Sequence, residues 1–195
     1  MKCNITIGIL IASVLLTGPS CATRSQHTPE VRSAEDVKKD EIAGILAAAD
    51  EYIAEGDFKS ALDLHKTAAE KHPGDEAFER GYLATIENIK KAADTSFDQD
   101  DFAQAGKTYY LLLKSVPHSN GFAAGLSFTK KNLTERLDEC RSTLSQQALR
   151  QYRSGNIGNA ISLWKSILTF DPGNKSVKKF IDTATIQLKN LKQNN

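Results

Sequence analysis

The stretch Gln151 to Asn174, QYRSGNIGNAISLWKSILTFDPGN, decides how this chain of 195 residues is read. Its apolar residues Ile157, Ala160, Ile161, Trp164, Ile167 and Leu168 recur three or four apart, which places them on one face of a helix. Both ends of that helix are marked. Gly155 supplies the left-handed conformation that ends a preceding helix, and Pro172 lacks the amide hydrogen needed to continue this one. The stretch predicts a helix, a tight turn, a second helix and a stop.

The same arrangement stands twice upstream. Glu55-Gly56-Asp57-Phe58, Ala61, His65, Ala68 and Pro73 match Ser154-Gly155-Asn156-Ile157, Ala160, Trp164, Ile167 and Pro172 at identical offsets. Asp100-Asp101-Phe102, Ala105, Tyr109, Leu112 and Pro117 form a third copy, with Asp100 in place of the turn glycine. Small residues Ala49, Ala93 and Ala148 occupy the equivalent late position of each first helix. Three copies make an internal repeat, and the elbows fall near residues 56, 100 and 155.

This pattern resembles the tetratricopeptide repeat. In that family a small residue late in the first helix and an alanine in the second let the two backbones approach, and a larger residue four along fills the wedge. The resemblance implies an all-α fold of antiparallel helical hairpins wound into a short right-handed superhelix. The spacing departs from the family. Ala61 to Ala105 is 44 residues and Ala105 to Ala160 is 55, against about 34 in the family. Helical spacing persists through the extra residues, from Phe78 to Phe97 and from Phe122 to Tyr152. The expectation is three irregular repeats with first helices elongated to about 24 and 30 residues.

The last segment, Lys175 to about residue 192, puts Val177, Phe180, Ile181, Ala184, Leu188 and Leu191 on one side and five lysines over much of the rest. Such a helix can cover the open end of the last repeat while keeping a wet outer face. The helical domain is thus expected over 37–195.

Residues 1–20 are of another character. Lys2 precedes an apolar run, Ile5 to Leu16, that is too short to span a bilayer and fits the core of a secretory signal. The following Leu15-Leu16-Thr17-Gly18-Pro19-Ser20-Cys21-Ala22 resembles the end of a bacterial lipoprotein signal, in which the cysteine becomes the lipidated first residue. That resemblance implies an anchor at Cys21, a tether over 21–36, and a position in the cell envelope facing the periplasm. Ala22 after Cys21 leans toward the outer membrane. Cleavage after Ala22 is the alternative, and would release a soluble periplasmic protein. Ser33 with Asp36 three later is a candidate helix cap.

Residues that carry chemistry are sparse. With 25 basic and 24 acidic residues the net charge is +1, which argues against a nucleic-acid binder. None of the four histidines has metal-ligand spacing with another or with a cysteine, and His65 stands where the other copies have Tyr109 and Trp164, so packing accounts for it. Cys140 lies on the apolar stripe between Leu137 and Leu144 and reads as a small buried hydrophobe. Asp57 and Asp101 read as helix-start residues. No catalytic residue, metal site or cofactor is expected.

One charge asymmetry stands out. Ile42 to Asp75 holds seven acids and three bases, net −4, and Lys175 to Asn195 holds five bases and one acid, net +4. Two solvated faces explain it, and so would end-to-end contact between copies. Taken with the resemblance, the expected function is that of a lipid-anchored adaptor binding an envelope protein in assembly or secretion. The expected contact residues are Leu46, Asp50, Ile53, Glu87, Lys90, Asp94, Gln147 and Arg150, on first-helix surfaces that packing leaves open. A structural spacer or self-assembling subunit is the rival reading.

Overall fold

The computed structural model describes residues 32–116 and 125–193. The expected signal segment, Cys21 and most of the tether lie outside the described residues. Among those described, the chain is all-helical: α1 (Ala34–Ala54), α2 (Phe58–Lys71), α3 (Glu76–Asp98), α4 (Phe102–Ser115), α5 (Lys130–Arg153), α6 (Ile157–Leu168) and α7 (Lys175–Gln193). None of them is long and apolar enough to cross a membrane.

The three elbows share one backbone conformation. Gly56, Asp100 and Gly155 all take positive φ, at 78°, 61° and 82°. In each turn the amide of the next residue reaches back five positions: Asp57 to Tyr52 O (2.8 Å), Asp101 to Ser96 O (2.9 Å) and Asn156 to Gln151 O (2.9 Å). This is the left-handed helix stop that glycine favours and that aspartate adopts at a cost. Asp57 and Asp101 then cap the second helices by accepting from the amides of Ser60 and Gln104.

Between the helices of each hairpin the repeat residues are buried alike. Ala49, Ala93 and Ala148 in the first helices, and Ala61, Ala105 and Ala160 in the second, have no solvent exposure. Close backbone approach at these alanines brings Phe58, Phe102 and Ile157 into the core beside them. His65, Tyr109 and Trp164 are likewise buried. Each first helix packs on its own second helix, α2 leads to α3, α4 to α5 and α6 to α7, and α1 also packs on α3.

Two sequence expectations are corrected. Helix begins at Ala34, capped by Ser33 from the amide of Asp36, so the helical domain starts three residues earlier than 37 and the tether cannot extend to 36. The first helix of the third repeat starts at Lys130, far later than the helical spacing from Phe122 suggested. Its start is set by Thr129 and Asn132, which cap one another reciprocally, and by buried Phe128 and Leu133 on either side of the cap, the positions of a hydrophobic staple. The helix is consequently 24 residues long, close to the 23 of α3.

Candidate functional site

A cleft lies between α3 and α5, with α4 as its floor. It encloses about 490 Å³ and is lined mainly by polar side chains, among them Lys90, Asn132, Glu135, Arg136 and Glu139, over buried Tyr109 and Leu133. The reason it stays open is local. The 125–129 segment enters between the two helices, pinned where the Ser127 hydroxyl donates to Glu87 Oε2 (2.7 Å) and where Phe128 is buried with Lys90 Nζ over its ring. On the opposite side the Arg136 guanidinium lies 4.4 Å from the centroid of the Phe97 ring and donates to Glu139 at 2.9 Å.

A polar chain leads from the rim inward. Lys90 Nζ sits 2.6 Å from Asp94 Oδ2, and the Tyr109 hydroxyl donates to Asp94 Oδ1 at 2.7 Å. Burial and the neighbouring carboxylate push the Tyr109 phenol well above its ordinary range, so it stays a protonated donor. The cleft therefore offers cations at Lys90 and Arg136 and carboxylates at Glu135 and Glu139 within one surface. The cleft thus presents donors, acceptors and charges of both signs side by side.

The eight expected contact residues separate into three groups. Glu87, Lys90 and Asp94 come together at the α3 side of the cleft, although each is engaged within the protein, Glu87 with Ser127 and the other two with one another. Leu46 and Ile53 are not free surface: both are half-buried where α1 meets α3, Leu46 against Gly81, while exposed Asp50 accepts from Asn88 at 3.3 Å. Gln147 and Arg150 lie beyond Glu139 on α5, about two to three turns from the cleft. Arg136, Glu139 and Phe128 were missed. Their signal was Phe97, an aromatic at the end of α3 whose half-buried ring takes Arg136 of the next repeat over its face.

Two buried polar groups elsewhere have structural roles. His65 accepts or donates at Nε2 with the Thr85 hydroxyl (2.7 Å), stacks on Tyr82, and is held below its usual value by burial. Cys140 is unbridged and fully buried, its thiol pushed up to about 11, which keeps it protonated at neutral pH.

Compared with family models, curated proteins and solved structures, the chain matches none.

Proposed function

We propose that this chain is a lipid-anchored adaptor of a bacterial cell envelope, which captures a protein partner in the cleft between α3 and α5. The observation that carries the reading is the mixed-charge cleft, built from first-helix side chains and the 125–129 segment over a tyrosine floor. Support for a tetratricopeptide-like right-handed superhelix comes from the shared elbow conformation and the six fully buried alanines. In such a fold the first helices line the inner surface, and an extended or helical segment of a partner lies along them.

The partner is engaged by both faces of the cleft. Glu135 and Glu139 of α5 take its basic groups, and Lys90 and Arg136 its acidic ones. Anchoring at Cys21 holds this surface near the membrane, on a tether shorter than 21–36 because α1 starts at Ala34. The tether sets the reach from the bilayer.

A photo-crosslinking amino acid placed in the full chain at Arg136 tests the site, with the same residue at the exposed Lys107 of α4 as the control. In its native cells, one discrete adduct at 136 and none at 107 is the expected result. Equal labelling at both positions removes the cleft from consideration. Intact mass tests the anchor separately: a diacylglyceryl cysteine at the amino terminus is expected, and a chain beginning at Thr23 would replace the lipoprotein reading with a soluble one.

A further inference from the structure

Five large hydrophobic side chains remain exposed among the described residues, and all five lie on the two terminal helices. Val37 (52%) and Tyr52 (37%) are on α1; Phe180 (44%), Ile186 (63%) and Leu191 (48%) are on α7. The five helices between them expose none. The contact pattern explains why. Each interior helix has a neighbour before and after it, whereas α7 packs closely on α6 alone and nothing precedes α1 among the described residues.

The charges of these two helices are opposite. Helix α1 carries six acids and two bases, net −4, and α7 carries five bases and one acid, net +4. The lysines of α7 pair with no carboxylate of the described residues, while on α1 Lys38, Glu41 and Asp50 are committed across elements, to Asp75, His72 and Asn88. Gly44 on α1 faces open space, which leaves room for an approaching helix.

We propose that copies of this chain associate head to tail, α7 of one copy docking on α1 of the next. Like ends repel, so a symmetric contact of α7 with α7, or of α1 with α1, is disfavoured by the same charges that favour the mixed one. The contact is heterologous and leaves a free α1 and a free α7 on every pair, so it propagates into open chains. An anionic membrane is a weaker fit for α7. Val177 and Ala184, at the centre of its apolar stripe, are already buried against the fold, and a membrane bound there would leave the exposed side chains of α1 unexplained. This association is independent of the α3/α5 cleft, which stays open in each copy.

The test is sedimentation velocity on the purified full chain in nonionic detergent, over a range of concentrations. At about 0.01 M salt, where charges act over about 30 Å, the sedimentation coefficient should rise continuously with concentration; at about 1 M, where they act over about 3 Å, association should weaken about tenfold or more. Lys178→Glu with Lys189→Glu should give a monomer, and Glu35→Lys with Glu51→Lys should give another. Mixing the two variants should restore assembly, because each then presents ends complementary to the other. A wild-type chain that stays monomeric throughout overturns the proposal, as does one that is monomeric yet binds vesicles of anionic lipid. So does an α1 variant that assembles like wild type, which would indicate α7 pairing with α7. Should a charge variant lose helicity, a mixture of Val37→Cys and Leu191→Cys copies decides: a disulfide formed only in the mixture supports the contact, and none formed contradicts it.

Discussion

The seam between α1 and α3 and the seam between α3 and α5 are built on one register and differ in what fills it. Gly81 and Arg136 stand at the same position, twelve residues before Ala93 and Ala148. Leu46 and Lys90 likewise stand three before Ala49 and Ala93. In the first seam Leu46 meets Gly81, where an added Cβ would lie 3.4 Å from both Leu46 and His65, and α1 packs directly on α3. In the second, Lys90 and Arg136 line a cleft together, and the α3 and α5 backbones do not pack closely. A leucine on a glycine closes a seam by removing apolar surface from water, while two cations, each bonded to a carboxylate, keep one open and wet. Repeat signatures set how each hairpin folds; the residues one turn and three turns before the first-helix alanine set how hairpins stack.

Exchanging the two register-equivalent residues should separate the seams most. Gly81→Arg forces a charged side chain against Leu46 and His65 and should cost about 3 kcal/mol in urea unfolding. The reciprocal Arg136→Gly loses a ring contact and places glycine within a helix, and should cost about 1 kcal/mol. Equal losses would mean the seams are not different in kind.

Behind the open cleft, α4 is clamped by the corner after α6. A Cβ added at Gly106 would fall 2.6 Å from the Phe170 ring, so Gly106→Ala should destabilise by about 2 kcal/mol. Gly106→Ala combined with Phe170→Leu should cost less than the sum of the two, since both act on one contact. Additive losses would show that the ring does not hold α4.

The closed seam should be the pH-sensitive one. Burial holds the His65 imidazole below its ordinary 6.5, so as pH falls the unfolded chain takes up a proton before the folded one does. The stability from neutral, buried His65 is complete above about 6.5 and is lost as pH falls toward the lower folded value. His65→Phe should flatten that slope in Tm against pH, at a cost of about 1 kcal/mol from leaving the Thr85 hydroxyl unpaired. An unchanged slope would place the titration elsewhere.

The smallest effect is expected at the elbows. Asp100 is the one non-glycine residue with positive φ among those described, in the hairpin that forms the open seam. Asp100→Gly should raise stability by about 1 kcal/mol, measured by urea midpoint, whereas Gly56→Asp in the first hairpin should lower it by a similar amount.

Much of this was legible from residue order. Gly56, Asp100 and Gly155 announced the turns because a left-handed helix stop is a local event, and the paired alanines announced the hairpins because close approach needs small side chains. The start of α5 was not legible from spacing: Leu126 keeps the helical interval, yet the reciprocal cap at Thr129 and Asn132 starts the helix after it. The site was only half legible. Periodicity tells which face of α3 carries Glu87, Lys90 and Asp94, but not how far the next first helix stands from it. That distance depends on Phe128 and Arg136, from other stretches of chain. The same lack of distance made Leu46 look free when Gly81 covers it.

The difference between the seams can be measured directly by spin-label distances at two register-equivalent, exposed pairs in the full chain, Ala47 with Ala84 across the first seam and Lys91 with Glu139 across the second. The Lys91/Glu139 separation should be clearly the longer, and should shorten when Lys90→Leu and Arg136→Gly rebuild the first seam's contact in the second. Equal separations in the unaltered protein would contradict an open cleft between α3 and α5, and with it the proposed binding surface.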